Sequence, residues 1–258
     1  MGIGTIVGVV CGLIAVFGSM IMEGGNPAAL IAPPAMLLIS VGTFGAACAG
    51  TSLDRAIDGL KAMAIAFTVA ADDPIVLINR IVGYAEQARR DGLLGLESQL
   101  ANEPNEILRT GLTMLVDGID HHEAVKVMKS MTMARRELWD TRADFFSKMG
   151  AFAPTLGIIG TVLGLIHVLE SLGGGAEELG HLIAAAFTAT FFGVFFANLL
   201  FLPMGAKFKM KGADEVHIAQ IVIAAVEQIA SNPNPRQLKL VLAAQLPPAE
   251  AAHFLEAS

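Results

Sequence analysis

Two hydroxyls, Thr161 and Thr190, stand on small-residue faces within apolar runs of this 258-residue chain and are the natural seat of polar chemistry there. Ala153, Gly157, Gly160, Thr161 and Gly164 recur at i, i+4, i+7, i+8 and i+11. Ala186, Thr190, Gly193 and Ala197 share a face by the same helical spacing. Small faces let two helix backbones approach closely, and hydroxyls can then bond across the gap. Pro154, in the first run, removes a helical N–H and frees the carbonyl of Gly150. A titratable carrier is missing. Ion paths through apolar surroundings depend on carboxylates or similar groups, yet no Asp, Glu, Lys or Arg lies inside these runs. Such residues can line a path whose ionisable group comes from another chain. His167 and Glu170, at the end of the first run, read as a helix-end side chain and a solvated loop residue.

The elements that hold these residues follow from the charge map. All 17 Lys and Arg residues fall within 51–148 and 203–258. The rest of the chain contains four apolar runs without a Lys, Arg, Asp or Glu, about Gly4–Met22, Pro33–Gly50, Met149–Leu169 and Leu182–Leu202. About 20 apolar residues cross a hydrocarbon core at 1.5 Å per residue, and only helices satisfy a single segment's backbone there. A mean hydropathy of +0.61 argues against core helices of a soluble protein. Short loops rich in Lys and Arg stay on the cytoplasmic side. The expectation is therefore an all-α membrane protein with four transmembrane helices and both termini cytoplasmic. Residues 1–50 form transmembrane hairpin 1, 51–148 a cytoplasmic helical domain, 149–202 transmembrane hairpin 2, and 203–258 a cytoplasmic tail. The first run lacks a basic leading region and a small-residue cleavage site, so it reads as a span and not as a signal peptide.

Helical patterns dominate the polar segments. Asp73 followed by Pro74 reads as an N-cap and first helical residue. Residues 105–116 form a helix ended by Asp117-Gly118, and 122–148 run without Gly or Pro toward the third span, as one long helix leaving the membrane. A further helix is expected over about 213–229. A net charge of −7, with 15 acidic against 12 basic residues in 51–148, offers no basic face for nucleic acid. Cys11 and Cys48 have no metal-site or disulfide pattern, and His121-His122-Glu123 reads as a solvated cluster beside a turn. No glycine-rich run carries the Lys-Ser/Thr of a phosphate loop. No enzymatic site, metal or cofactor is expected.

Four motifs in order resemble the MotA/PomA family, the multi-span subunit of the bacterial flagellar stator. Ala88-Arg89-Arg90-Asp91-Gly92-Leu93-Leu94-Gly95-Leu96-Glu97 is similar to its A-R-x-x-G-hydrophobic-L-E motif, and Asp117-Gly118-Ile119-Asp120 to its D-G-x-D turn. Ala153-Pro154 through Gly157, Gly160, Thr161 and Gly164 resembles its third span. Ala189-Thr190-Phe191-Phe192-Gly193, Ala197-Asn198 and Pro203 resemble its fourth span and exit. The resemblance implies an inner-membrane protein forming a pentamer around a dimer of a single-span MotB/PomB-type partner, whose aspartate carries the ion. The cytoplasmic domain would push the rotor protein FliG. By carry-over, Thr161 and Thr190 lie near the ion path, Pro154 and Pro203 serve the conformational cycle, and Arg89 and Glu97 face the rotor. Gly157, Gly160, Gly164 and Gly193 serve helix packing. Sodium-type members place Thr at the position of Thr161 and at both positions of the Ala189-Thr190 pair; Ala189 removes one hydroxyl, which favours H+ over Na+. The alternative is an ExbB/TolQ-type energiser, which usually has three spans and lacks the Arg-x-x-Gly…Leu-Glu motif. A solute transporter acting alone would show intramembrane charges or a broken-helix site, and neither is visible.

Overall fold

The computed structural model describes residues 2–68, 72–173, 175–231 and 234–256. Regular structure among them is entirely helical: α1 Gly2–Met22, α2 Pro33–Ala49, α3 Leu53–Thr68, α4 Pro74–Asp91, α5 Glu97–Leu100, α6 Glu106–Val116, α7 His121–Glu170, α8 Ala176–Phe196, α9 Leu202–Ala230, α10 Pro235–Ala243 and α11 Pro248–Glu256. Two stretches are long and apolar enough to cross a membrane, within His121–Glu170 and Glu178–Ala230, and the apolar segments Val7–Met22 and Pro33–Ala49 are shorter.

Local chemistry sets the helix ends. Asp73 caps α4, its Oδ1 accepting from the N–H groups of Ile75 at 2.8 Å and Val76 at 3.4 Å, with Pro74 in the first helical position. Asn105 caps α6 through Leu108 N–H at 3.0 Å. The Asp117-Gly118-Ile119-Asp120 turn is a back-to-back stop and start. Gly118, at φ +76°, lets Ile119 N–H donate to Met114 at 2.9 Å and Gly118 N–H to Leu115 at 3.1 Å, which closes α6. Asp120 then caps α7 through His122 N–H at 2.9 Å. The turn motif is thereby accounted for as an αα corner.

The chain divides into two compact units, Met1–Ala70 with Trp139–Met210, and Ala71–Leu138 with Lys211–Ser258. The first is built on phenylalanine, with Phe145, Phe146, Phe192, Phe201 and Phe208 buried alongside Ile39. Polar ties join α3 and the end of α2 to α7. Arg142 grips Asp58 with two hydrogen bonds, 2.7 Å from Nε and 3.1 Å from Nη2, while its guanidinium lies 4.6 Å from the centre of the Trp139 ring. Lys148 Nζ donates to the carbonyl of Gly50 at 3.0 Å. The second unit packs Leu77, Ile78 and Ile81 of α4 and Leu108 and Leu112 of α6 against Ile221, Val222 and Val226 of α9 and Leu238 and Leu242 of α10.

α7 is one 50-residue helix with Pro154 inside it. The separate tail helix expected over 213–229 is instead the distal part of α9, which starts at Leu202. Pro203 does not break the helix there, and a π-turn explains why. Residues Ala197–Phe201 form that turn, with Leu202 N–H donating five residues back to Ala197. A proline ring normally clashes with the carbonyl four residues earlier, here Leu199, and the π-turn widens the backbone at that residue.

The Arg142 hydrogen bond holds the Asp58 carboxyl below its ordinary value of 3.8. A depressed carboxyl adds stability above its unfolded pKa and loses it as pH falls through the folded one. Thermal unfolding of the solubilised protein should therefore shift down as pH falls below about 4. In Asp58→Ala that added loss should vanish, with the midpoint already lower at pH 7; equal acid sensitivity of the two proteins would contradict the assignment.

Candidate functional site

α7 and α8 meet along the small faces, with backbones nearly in contact. A Cβ added at Gly157 would lie 2.9 Å from the Ala189 carbonyl oxygen and 3.0 Å from Cα of Thr190. One at Gly193 would lie 2.6 Å from the Ala153 carbonyl oxygen, and one at Gly164 2.9 Å from Cα of Ala186. Gly160 faces the Ala189 methyl at 2.6 Å on the same measure. These four positions admit no side chain without parting the helices.

Thr161 and Thr190 lie in this contact, half-buried, and their hydroxyls bond to each other across it. Thr161 Oγ1 also lies 3.2 Å from the Gly157 carbonyl and 3.1 Å from the Ala186 carbonyl, and Thr190 Oγ1 lies 3.3 Å from that of Gly157. Two hydroxyl protons thus serve several acceptors: each hydroxyl donates once, so while the two bond to each other two of the three carbonyl contacts are left without a proton. The cluster can redistribute its hydrogen bonds by rotating hydroxyls alone. Thr188 turns away, donating to Ala184 of its own helix at 2.8 Å. The methyl of Ala189 borders a cavity of about 370 Å³ walled by Leu38, Gly160, Gly164, His167 and Ala186 among others. Among the described residues His167 is its one titratable wall residue.

Pro154 and Pro203 belong to the same unit. A Cβ at Gly150, whose carbonyl Pro154 frees, would lie 2.5 Å from Cδ2 of Leu202, the residue whose N–H closes the π-turn. The two backbone irregularities therefore adjoin.

Arg89 and Glu97 lie in the other unit. Arg89 is in the last turn of α4 and Glu97 opens α5, with Gly92 at φ +76° and a 3-10 turn over Leu93–Leu96 between them. Both are exposed, and neither makes an ion pair within the described chain. Gln87 Nε2 ties the corner together by donating to the Gly95 carbonyl at 2.8 Å. Beneath it lies a group that sequence reasoning missed, the buried Glu103, bonded to Tyr84 at 2.7 Å. Burial first, then the hydrogen bond to Glu103, pushes the Tyr84 phenol up to about 12. The lone tyrosine of the chain, on the apolar face of α4, was the available signal.

The architecture is that of an all-helical subunit whose two long apolar helices lock through glycines around a hydroxyl pair. A family model, the MotA/TolQ/ExbB proton channel family, matches residues 99–221. Motility protein A of Bacillus subtilis is 30% identical, over 98% of this chain and 93% of its own length. Motility protein A of Aquifex aeolicus is 31% identical over 96% and 99%. Among solved structures, that of C. jejuni MotAB superposes with a TM-score of 0.91 at 32% identity, covering 96% of this chain and 97% of that one. The flagellar MotAB stator complex of Bacillus subtilis gives 0.89 at 30%, covering 97% and 99%. The chain belongs to the MotA/TolQ/ExbB proton channel family, in its Motility protein A group, with the function of a flagellar stator subunit. The flagellar reading stands over the ExbB/TolQ energiser.

Hydrogen bonds between membrane helices are worth roughly 0.6 kcal/mol on average and about 1.7 at most. Thr161→Val should therefore leave the helix pair assembled while removing one donor, whereas Gly157→Val must force the backbones apart, at about 1–3 kcal/mol or more. In cells relying on this stator, Thr161→Val should lose most motility at unchanged membrane abundance, with Thr161→Ser retaining it. Gly157→Val should lose abundance as well. Full motility of Thr161→Val would remove the hydroxyl from the mechanism.

Proposed function

We propose that this chain is the ring-forming subunit of an ion-driven flagellar motor, coupling proton flow across the inner membrane to torque on the rotor. It is read as a pentamer around a MotB/PomB-type single-span partner, with FliG as the rotor contact. The observation that carries this is the Thr161–Thr190 pair inside a glycine-locked helix contact that contains no carboxylate of its own. A lining without a carrier needs a carrier on another chain, and MotAB structures are those of a two-component complex by name. Four spans, with both termini and the second unit cytoplasmic, are supported by the confinement of all 17 Lys and Arg to 51–148 and 203–258. Thr161 and Thr190 line the ion path, Pro154 and Pro203 bend with each step, and lipid covers the outer helices. A charge crossing a membrane potential supplies about 2.3 kcal/mol per 100 mV. Flexing at two adjoining backbone irregularities asks for little of that, whereas parting the glycine contact would ask for much.

Proton coupling rests on the oxygen count. Sodium must exchange its water shell for several fixed oxygens. The chain sets two threonine hydroxyls at the contact, with the neighbouring position occupied by the Ala189 methyl. Motility driven only by this stator should persist without external sodium and stop when a protonophore collapses the proton gradient. Speed that rises and saturates with sodium at constant pH would overturn the assignment.

The rotor contact is read at Arg89 and Glu97. Exposed pairs contribute under about 1 kcal/mol to stability, so their reversal should spare folding. Arg89→Glu should impair swimming severely at unchanged membrane abundance, and a compensating charge reversal on FliG should restore it. Normal swimming with both Arg89 and Glu97 reversed would exclude the pair.

A further inference from the structure

Glu103 is a carboxylate with a side chain of 0% exposure inside the second unit. Its Oε2 accepts from the Tyr84 hydroxyl at 2.7 Å and lies 3.1 Å from Arg80 Nε; its Oε1 accepts from Asn105 N–H at 2.8 Å. Arg109 Nη1 donates to its carbonyl at 3.2 Å. A buried ion pair is weak evidence for stability, because apolar residues of similar volume often do as well. The arrangement makes better sense as geometry. Arg80 and Tyr84 lie one turn apart on α4, Glu103 follows the last residue of α5 by three positions, and Asn105 caps α6. One carboxylate thus ties α4, whose last turn carries Arg89, to the start of α6, across the turn that follows α5 and its Glu97. Gln87, bonded to Gly95, ties the same corner nearer its tip.

We propose that Glu103 is a positioning residue for the rotor-facing corner: its carboxylate fixes where α4 stands against the turn that joins α5 to α6, and so sets the placement of Arg89 relative to Glu97. The proposal rests on the reading of those two residues as the rotor contact. Glu103 is itself buried and acts only through them. Directional hydrogen bonds suit this task better than apolar packing, which tolerates small slides.

The test uses the complete stator in motile cells, reading torque per engaged unit from the step height as single stators join a motor. Glu103→Gln keeps the volume but turns one acceptor into a donor facing other donors, and Glu103→Leu removes both acceptors. Each should lower torque per unit at least threefold, with membrane abundance and co-purification with the partner unchanged. Tyr84→Phe, which leaves the Asn105 and Arg80 contacts, should cost less than twofold. The deciding readout is the combination with Arg89→Ala. If Glu103 works through Arg89, the double variant is no worse than Arg89→Ala alone, whereas a general loosening multiplies the two losses. Multiplied losses, or full torque from Glu103→Gln, would overturn the proposal. Should Glu103→Leu fail to accumulate, Glu103→Gln and Tyr84→Phe still decide. Undiminished torque from Arg89→Ala combined with Glu97→Ala would instead sink the rotor-contact reading itself.

Discussion

The contact between α7 and α8 is the constraint on which the rest of the first unit depends. Gly157 and Gly193 bring the two backbones so close that a methyl at either would collide with a main-chain oxygen, at 2.9 Å and 2.6 Å. In an apolar medium helices gain little from burying apolar surface against one another, so close packing and short hydrogen bonds must supply the association. That requirement explains the composition of the face. The glycines meet alanine, glycine and threonine across the contact, and the threonines bond to each other and to carbonyls on both helices.

A contact this tight transmits motion, because it cannot be compressed and is costly to open. The soft places lie next to it. Pro154 leaves the Gly150 carbonyl without its helical donor, and the π-turn of residues 197–201 loosens the helix ahead of Pro203. Gly150 packs on Leu202, so both defects sit together, about three helical turns from the hydroxyl pair. On the proposed reading, a rigid segment bounded by a paired flexure acts as a lever. The packed Phe145, Phe146 and Phe208 cluster, with Arg142 and Lys148 holding α3 and the end of α2, supplies a firm seat beside it.

Much of this was legible in the residues. Spacing alone placed Gly157, Thr161 and Gly164 on one face and Thr190 and Gly193 on another, because a helix in lipid has few alternatives to strict periodicity. Asp73 announced its helix, since capping is a local interaction. What stayed hidden was non-local. Asp58 and Arg142 meet across 84 positions, and Tyr84 and Glu103 across 19, with no periodicity to betray them. The continuity of α9 through Pro203 was also hidden, because a π-turn has no sequence signature comparable to a cap. Arg89 and Glu97 stand in the resembling motif, and the positive φ of Gly92 between them shows why that motif needs a glycine.

The two units treat charge in opposite ways, and the contrast follows from what each must do. The second unit buries Glu103 and satisfies its carboxylate with hydrogen bonds from the Tyr84 hydroxyl and the Asn105 N–H. The first unit keeps its small-residue faces free of carboxylates, although a carboxylate is what an ion path requires. A carrier fixed to the same helices as the lining would move with them, and its titration would alter the lining's hydrogen bonds without displacing one body past another. Torque requires relative displacement. On the proposed reading, a carrier on a separate chain turns each change of charge into a change of affinity between two bodies, and the hydroxyls of Thr161 and Thr190, able to donate or accept by rotation, can meet either charge state.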